Sequence, residues 1–162
     1  MLLLIAGLPG TGKTTVARTL AERMGALHLN SDVLRKELGL MGHYSPEDKQ
    51  QVYATLLQRA REALSEGQVV VVDSTFYKES LRAPFQALAR DCGVEYHWVE
   101  IQASEPTLRD RLSRPRPDSE ADFAVYESIR DQFEPLPAHR LLVNTDEKSP
   151  DEAAQMIQQS LQ

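Results

Sequence analysis

The chain has 162 residues, of which 41% are hydrophobic and 26% are charged, and its formal net charge is −6. This length suits one domain with a single core, and the composition argues against a disordered or membrane-embedded protein. The acidic balance also argues against broad, charge-driven coating of nucleic acid. Because Cys92 is the single cysteine, no intrachain disulfide can form, and we expect a cytoplasmic protein with no membrane partner.

Strand-like and helix-like segments alternate from one end of the chain to the other. Continuous apolar runs predict buried strands, and apolar residues three and four positions apart predict helices. In chain order we predict strand Leu2–Ala6, helix Lys13–Met24, strand Leu27–Asn30, helix 31–38 capped by Ser31 or Asp32, helix 46–65, strand 69–72, helix Glu79–Asp91 with a bend or later start at Pro84, strand 94–102, helices 105–113 and 120–133, strand 141–143 and helix 151–161. This alternation predicts a single α/β domain over 1–162, a three-layer sandwich with a mostly parallel sheet.

The segment Gly7-Leu8-Pro9-Gly10-Thr11-Gly12-Lys13-Thr14 fits the phosphate-binding pattern G-x-x-x-x-G-K-[ST] completely. It lies between a predicted strand and a predicted helix, which is the context in which such a loop presents its backbone N–H groups to phosphates. Lys13 would reach the β- and γ-phosphates, and the Thr14 hydroxyl would bind Mg²⁺. We therefore predict that ATP is bound by Gly7, Pro9, Gly10, Thr11, Gly12, Lys13, Thr14 and Thr15.

Two residues that follow the second predicted strand are candidates for the acceptor side of a transfer reaction. Asp32 should face the same crevice as the phosphate loop, because ligands of parallel sheets lie beyond the carboxyl ends of the strands. Its carboxylate can take the proton of an attacking hydroxyl, and Arg35, one turn later, can bind an anionic group beside that hydroxyl. The alternative is that Asp32 is a helix cap and Arg35 a surface charge.

Asp73 ends the valine-rich third strand and is the carboxylate expected to hold Mg²⁺ together with Thr14. A turn or helix cap is the alternative role for Asp73, and Ser74 and Thr75 are possible hydroxyl donors beside it.

A cluster of four arginines, Arg109, Arg111, Arg114 and Arg116, lies in the predicted lid at about 105–120. Arginines on a closing segment can neutralise the transferring phosphoryl group and help to exclude water. We select Arg111 and Arg114 as the catalytic pair, since they are three residues apart on one helix face. The alternative is a solvated face in which these charges alternate with nearby carboxylates.

The phosphate loop, the Asp32-x-x-Arg35 motif, the strand ending in Asp73 and the arginine-rich helix together resemble the polynucleotide-kinase-like and zeta-toxin-like P-loop kinases. The resemblance implies a five-stranded sheet of order 2-3-1-4-5, a general-base role for Asp32 and a contact of Arg35 with an acceptor phosphate. It also implies that Arg111 and Arg114 act on the phosphoryl group. The segment Ser119-Glu120-Ala121 departs from the Ser-Asp-Ala motif of many relatives.

These patterns favour an ATP-dependent phosphotransferase with Mg²⁺ as cofactor and a hydroxyl-bearing acceptor. A GTPase is disfavoured because the guanine-reading N-K-x-D pattern is absent and Asp73 does not begin a D-x-x-G motif. The leading acceptor is a nucleic-acid 5′-hydroxyl, and a small metabolite such as a sugar or nucleoside is the alternative. A nucleotide-binding regulatory module without catalysis is the second alternative.

Overall fold

A five-stranded parallel sheet forms the centre of the protein in a computed structural model, which describes residues 1–115 and 121–161. Its strands are β1 (Leu2–Ala6), β2 (Leu27–Asn30), β3 (Val70–Asp73), β4 (Tyr96–Gln102) and β5 (Leu141–Asn144). They are arranged in the order β2-β3-β1-β4-β5, and every pairing is parallel. This confirms the predicted fold class and strand order.

The helices lie on both faces of the sheet, as a three-layer sandwich requires. They are α1 (Lys13–Met24), α2 (Ser31–Glu37), α3 (Pro46–Ser65), α4 (Glu79–Asp91), α5 (Glu105–Leu112), α6 (Phe123–Gln132) and α7 (Pro150–Ser160). Strand β1 is buried on both sides: Leu2 and Leu4 pack in one core with α3 and α4, whereas Leu3 and Ile5 pack in the other with α1 and α7. Two-sided burial explains why the sequence of β1 is a continuous apolar run rather than an alternating one.

Most of the predicted element boundaries match the structure, and the others differ by one to three residues. Helix α2 is capped by Asn30, whose side chain accepts a hydrogen bond from the Val33 N–H, and not by Ser31 or Asp32. Helix α4 begins at Glu79 and continues through Pro84, which lies only five residues into the helix. The sixth helix begins at Phe123 rather than at residue 120, with Asp122 as its cap.

Among residues 1–115 and 121–161, no helix combines the length and the hydropathy that crossing a membrane would require.

Candidate active site

The phosphate loop lies between the end of β1 and the start of α1. Gly10 and Gly12 adopt φ values of 84° and 89°, in the left-handed region that side chains disfavour. Gly7 is packed so closely that a Cβ atom there would lie 2.5 Å from the carbonyl oxygen of Ile101. The buried Thr11 hydroxyl donates a hydrogen bond to the Leu8 carbonyl at 2.9 Å and holds the turn closed. Glycine torsion angles, close backbone packing and this hydrogen bond therefore determine the shape of the loop.

Two cavities open on either side of Lys13, Thr14 and Asp32. The first, which we call the nucleotide cavity, has a volume of about 580 Å³ and is bordered by the phosphate loop, α1 and the loop after β5. The predicted site residues that line it are Gly10, Gly12, Lys13, Thr14, Thr15, Asp32, Arg111 and Arg114. Pro9 lines the second cavity instead. Gly7 and Thr11 stabilise the loop through their contacts with the backbone of Ile101 and Leu8.

A buried polar cluster lies beneath the nucleotide cavity at the end of β3. The Asp73 carboxylate is fully buried, and the Thr14 hydroxyl donates to its Oδ1 atom at 3.3 Å. Nε2 of His28 lies 3.1 Å from Oδ2 of Asp73. A carboxylate and a hydroxyl this close together are oxygen donors of the type that Mg²⁺ prefers, but only Thr14 lines the cavities, so the magnesium role of Asp73 stays a prediction. Asp73 lies within the strand and caps no helix.

Asn30 connects this cluster to the next helix, and the sequence predictions missed it. Its side-chain amide donates to Oδ2 of Asp73 at 2.6 Å and lies 3.2 Å from the Thr14 hydroxyl. Its side-chain oxygen accepts from the Val33 N–H at 2.8 Å, at the start of the helix that carries Asp32 and Arg35. One buried side chain therefore joins the phosphate loop, the Asp73 carboxylate and helix α2.

The second cavity, which we call the acceptor cavity, has a volume of about 380 Å³ and lies between α2, α3, α6 and the loop after β3. It shares Lys13, Thr14 and Asp32 with the nucleotide cavity. Its remaining walls are formed by Pro9, Ser31, Arg35, Tyr44, Lys49, Tyr53, Ser74, Thr75, Tyr77, Ala121, Val125, Ser128, Ile129 and Gln132. Lys49, Tyr44, Tyr53 and Tyr77 were not among the predicted site residues.

Arg35 is buried in the wall of the acceptor cavity, so it is not the surface charge of the alternative prediction. Its guanidinium donates to the His43 carbonyl at 2.7 Å and stacks on the Tyr44 ring, with 4.6 Å between Cζ and the ring centroid. The Nε–H group of Arg35 is buried and has no hydrogen-bond partner among the described residues. A buried guanidinium N–H without an acceptor is costly, which indicates that a ligand can satisfy it.

The floor of the acceptor cavity is a strained loop between β3 and α4. Phe76 has a φ of 47°, an unfavourable value for a bulky residue, and its ring packs edge-on against three other aromatic rings. The fully buried Arg82 donates to the Phe76 carbonyl at 2.7 Å and also binds the carbonyls of Glu134 and Pro135, next to the end of α6. Packing and hydrogen bonds therefore hold the loop in the conformation that presents Ser74, Thr75 and Tyr77.

The hydroxyls of this floor form a short network with α3. The Tyr53 hydroxyl lies 2.6 Å from the Ser74 hydroxyl, and either group can donate. Burial raises the pKa of the Tyr53 hydroxyl, so its proton is retained at neutral pH. A neutral phenol at this position can hydrogen-bond a polar ligand without adding negative charge to the cavity.

The arginines of the predicted lid separate into two groups. Arg111 donates to the Gly10 carbonyl at 3.2 Å and to the hydroxyl and carbonyl of Thr145 at 3.0 and 3.1 Å, beside the phosphate loop. Arg114 lines the same cavity but pairs with Asp110 at 2.8 Å, just beyond the end of α5. Arg109 instead pairs with Glu105 and covers the Phe123 ring. Arg116 and the segment 116–120 lie outside the described residues.

The parallel sheet, the glycine-rich loop before α1 and the buried Asp73 cluster define a P-loop nucleotide-binding protein with the architecture of small kinases. The comparison with known families gives the same result: the chain belongs to the AAA_33 family (AAA domain), whose model matches residues 2–136.

Known relatives cover the chain to different extents. An uncharacterised protein of Mycobacterium tuberculosis is 32% identical over 123 residues, which is 68% of this chain but only a quarter of that protein's length. The shikimate kinase of Thermobifida fusca is 28% identical over 173 residues, covering 99% of this chain and 94% of that enzyme.

Solved structures also match over nearly the whole chain. A protein from Chloroflexus aurantiacus that is assigned as a kinase matches with a TM-score of 0.76 and 25% identity, covering 99% of this chain and 98% of that one. The APS kinase CysC of Mycobacterium tuberculosis, solved with AMPPNP and APS, matches with a TM-score of 0.75 and 22% identity, covering 99% and 96%. The latter likeness concerns the fold alone.

Proposed function

We propose that the protein is an ATP-dependent phosphotransferase that moves the γ-phosphate to a hydroxyl group bound in the acceptor cavity. The observation that carries this proposal is the meeting of two cavities at Lys13, Thr14 and Asp32. One cavity contains the phosphate-binding loop, and the other is lined by hydroxyls and cations. Transfer between two bound reactants requires such a shared boundary, because positioning supplies much of the rate enhancement in phosphoryl transfer.

On the nucleotide side, the chain supplies backbone N–H groups at the start of α1, the Lys13 ammonium and the two oxygen ligands Thr14 and Asp73. A magnesium ion bound there would neutralise charge on the β- and γ-phosphates. Arg111 already contacts the phosphate loop, and Arg114 would turn from Asp110 toward the phosphates. Both arginines would stabilise negative charge that spreads over the transferring group.

On the acceptor side, Asp32 is the proposed general base. The acceptor oxygen forms a bond to the γ-phosphorus, its proton passes to the Asp32 carboxylate, and the bond from the γ-phosphorus to the β,γ-bridging oxygen breaks. ADP leaves with that electron pair. Arg35 would bind an anionic part of the acceptor and hold the hydroxyl in line for attack.

A small hydroxyl-bearing compound is the acceptor class that the cavity supports best. Its volume of about 380 Å³ falls at the lower end of the range for small-molecule sites, about 300–1,000 Å³. The net charge of −6 also disfavours an extended contact with a phosphate backbone. The 5′-hydroxyl of a nucleic acid is the second candidate, because Asp32 and Arg35 line the cavity together as a D-x-x-R motif would present them.

The substitution Asp32→Asn tests this function. We expect it to lower transfer by about 10²-fold or more, as for the loss of a general base, while the affinity for ATP stays near that of the original protein. ADP release with a panel of hydroxyl compounds measures the first effect, and calorimetry with magnesium and AMPPNP measures the second. Glu37→Gln is the matched control, since Glu37 lies on the same helix, pairs with Arg59 and lines neither cavity.

Two results would contradict the proposal. Unchanged transfer in Asp32→Asn would remove Asp32 from the mechanism. If no hydroxyl compound, including 5′-hydroxyl oligonucleotides, raised ADP release above background, the regulatory-module alternative would be favoured instead.

A further inference from the structure

Lys49 is a cation in the wall of the acceptor cavity that no part of the proposed mechanism uses. It lies in the first turn of α3, and its Nζ atom donates to the Tyr77 hydroxyl at 3.3 Å. The same ammonium lies 5.6 Å from the centre of the Tyr77 ring. The tyrosine is buried and Lys49 is half-buried, so this contact holds the lysine against the cavity wall.

Within the described part of the chain, neither Lys49 nor Arg35 forms an ion pair with a carboxylate. Most arginines there lie beside an acidic partner. The paired ones are Arg23, Arg59, Arg61, Arg82, Arg109, Arg114, Arg130 and Arg140. The acceptor cavity therefore presents two cations whose charge remains available to a ligand.

The charge balance of the cavity wall is opposite to that of the whole chain. Its described lining contains three cations, Lys13, Arg35 and Lys49, and one carboxylate, Asp32, which gives a formal charge of +2. The whole chain carries −6. Holding positive charges together in a partly enclosed site is unfavourable without a compensating anion. The buried Arg35 Nε–H, which lacks an acceptor among the described residues, leaves a further donor on the same wall for a polar group of the ligand.

We propose that the acceptor is a small hydroxyl-bearing anion, with a carboxylate or phosphate ester group that is bound by Lys49 and the Tyr77 hydroxyl. This inference rests on the proposed function and names the substrate class of the same site. The ammonium of Lys49 has three N–H donors, of which one is directed to Tyr77 and two remain for the anion. Tyr77 accepts from Lys49 and keeps its own O–H to donate to the anion. Lys49 is thus a specificity-determining residue.

Paired acceptors that differ only in charge test the inference by turnover. Shikimate with its methyl ester, gluconate with glucose, and a nucleoside 3′-monophosphate with its nucleoside form suitable pairs, and a 5′-hydroxyl oligonucleotide completes the panel. For the best pair we expect kcat/KM to be at least about 10-fold higher for the anion. Lys49→Met should reduce that preference by raising KM about 10-fold or more for the anion, as expected for the loss of a charge-assisted hydrogen bond, with Arg35 responsible for what remains. The neutral partner should be unaffected.

Lys78→Met is the matched control for this substitution. Lys78 also lies near the Tyr77 ring, at 5.5 Å, but does not line the acceptor cavity. Its loss should leave the preference for the anion intact, whereas Lys49→Arg should restore most of it. Equal effects of Lys49→Met on charged and neutral compounds, or turnover of the oligonucleotide alone, would overturn the inference.

A binding measurement separates this inference from the proposed function. With the phosphate loop saturated by magnesium and AMPPNP, calorimetry with inorganic sulfate should detect a site that Lys49→Met weakens about 10-fold and Lys78→Met leaves unchanged. Such binding without any turnover would contradict the kinase function and leave the anion site supported. Sulfate binding that is equally strong in Lys49→Met would show that the anion lies elsewhere and would overturn the inference even if turnover is found.

Discussion

The two halves of the candidate site are built in different ways. The phosphate loop is a run of eight neighbouring residues, and its shape depends on backbone torsion angles and close backbone packing at Gly7, Gly10 and Gly12. The acceptor cavity is assembled from side chains between Pro9 and Gln132, which come from several helices and loops. One region is a local backbone structure, and the other is a tertiary arrangement.

This difference has a consequence for function. A nest of backbone N–H groups recognises phosphates through its main-chain shape. Apart from Lys13, Arg111 and the polar cluster around Asp73, the nucleotide half should therefore depend on that shape more than on its side chains. A cavity wall built from side chains can acquire a different ligand specificity when one or two of those side chains are substituted. The choice of acceptor should therefore depend on individual residues such as Lys49, and nucleotide binding on the glycines.

The largest expected effect tests whether nucleotide binding depends on the backbone shape of the phosphate loop. A methyl group at Gly7 would lie 2.5 Å from the Ile101 carbonyl, so Gly7→Ala must displace the phosphate loop. We expect the affinity for magnesium and AMPPNP to fall on the order of 10²-fold, since displaced backbone N–H groups lose hydrogen bonds to charged phosphate oxygens that are worth about 1.5–3 kcal/mol each. Calorimetry measures this change.

Gly25→Ala supplies the control for Gly7→Ala. Gly25 ends α1 with a positive φ of 61°, but a methyl group added there would meet no atom of the described residues within 4 Å apart from its adjoining backbone. We expect this variant to lose about 1 kcal/mol of stability and to bind nucleotide normally. Normal nucleotide binding by Gly7→Ala would show that the loop does not depend on its tight packing.

The same contrast explains how much of the molecule could be predicted from the sequence. The strands, the helices and the phosphate loop depend on periodicity and on adjacent residues, so they could be predicted from the sequence alone. The acceptor wall could be predicted only in part, at Asp32, Arg35, Ser74 and Thr75, which follow strand ends. Lys49 and Tyr77 could not be predicted, because they are far apart in sequence and are typical of an exposed helix turn and a loop. Arg111 likewise meets Thr145 only because α5 and the loop after β5 pack together.

Asn30 is an intermediate case, since a signal for it was present. It is a polar residue at the end of a strand, and in the parallel register of β2 with β3 it lies opposite Asp73. Two polar residues at matching strand ends indicate a shared site once the strand order is known. In the sequence analysis, the strand order came only from a family resemblance. Without the pairing of β2 with β3, Asn30 is only the last residue of a predicted strand.

A substitution at Asn30 tests whether the two halves act as one unit. Asn30→Leu removes a donor from Asp73 and the cap of α2 together. We expect a loss of about 1–2 kcal/mol of stability and a fall of about 10-fold or more in transfer, with weaker binding of magnesium and AMPPNP. Chemical unfolding, ADP release and calorimetry measure the three effects.

Ser149→Ala is the control for Asn30→Leu, because it removes the capping box of α7 at a residue that itself lines neither cavity. It should lower stability by a similar amount without affecting transfer. If Asn30→Leu behaved in the same way as Ser149→Ala, the halves would be independent and Asn30 would be a helix cap only.

The smallest expected effect concerns Asp146, in the loop after β5 that borders the nucleotide cavity. The Asp146 carboxylate accepts hydrogen bonds from the Ser104 N–H at 3.0 and 3.1 Å, and so ties the loop that contains Thr145 to the start of α5. The Ser104 N–H is the main cause that lowers the pKa of Asp146 below its ordinary value of 3.8. A carboxyl group whose pKa is lowered by folding stabilises the protein above its unfolded pKa and loses that contribution as the pH falls through the folded pKa.

Asp146→Ala should therefore lower Tm at neutral pH by no more than about 2 °C, because Asp146 is exposed and surface substitutions have small effects. The difference in Tm from the original protein should stay constant between about pH 5 and pH 7 and shrink below about pH 4, where the unsubstituted carboxyl becomes protonated. Thermal unfolding followed over this pH range measures it, with Glu147→Ala, at an exposed neighbouring position, as control. A difference that grew on acidification would mean that protonated Asp146 holds α5 better than the carboxylate does. The Ser104 contact would then not be the link between Thr145 and the helix that carries Arg111.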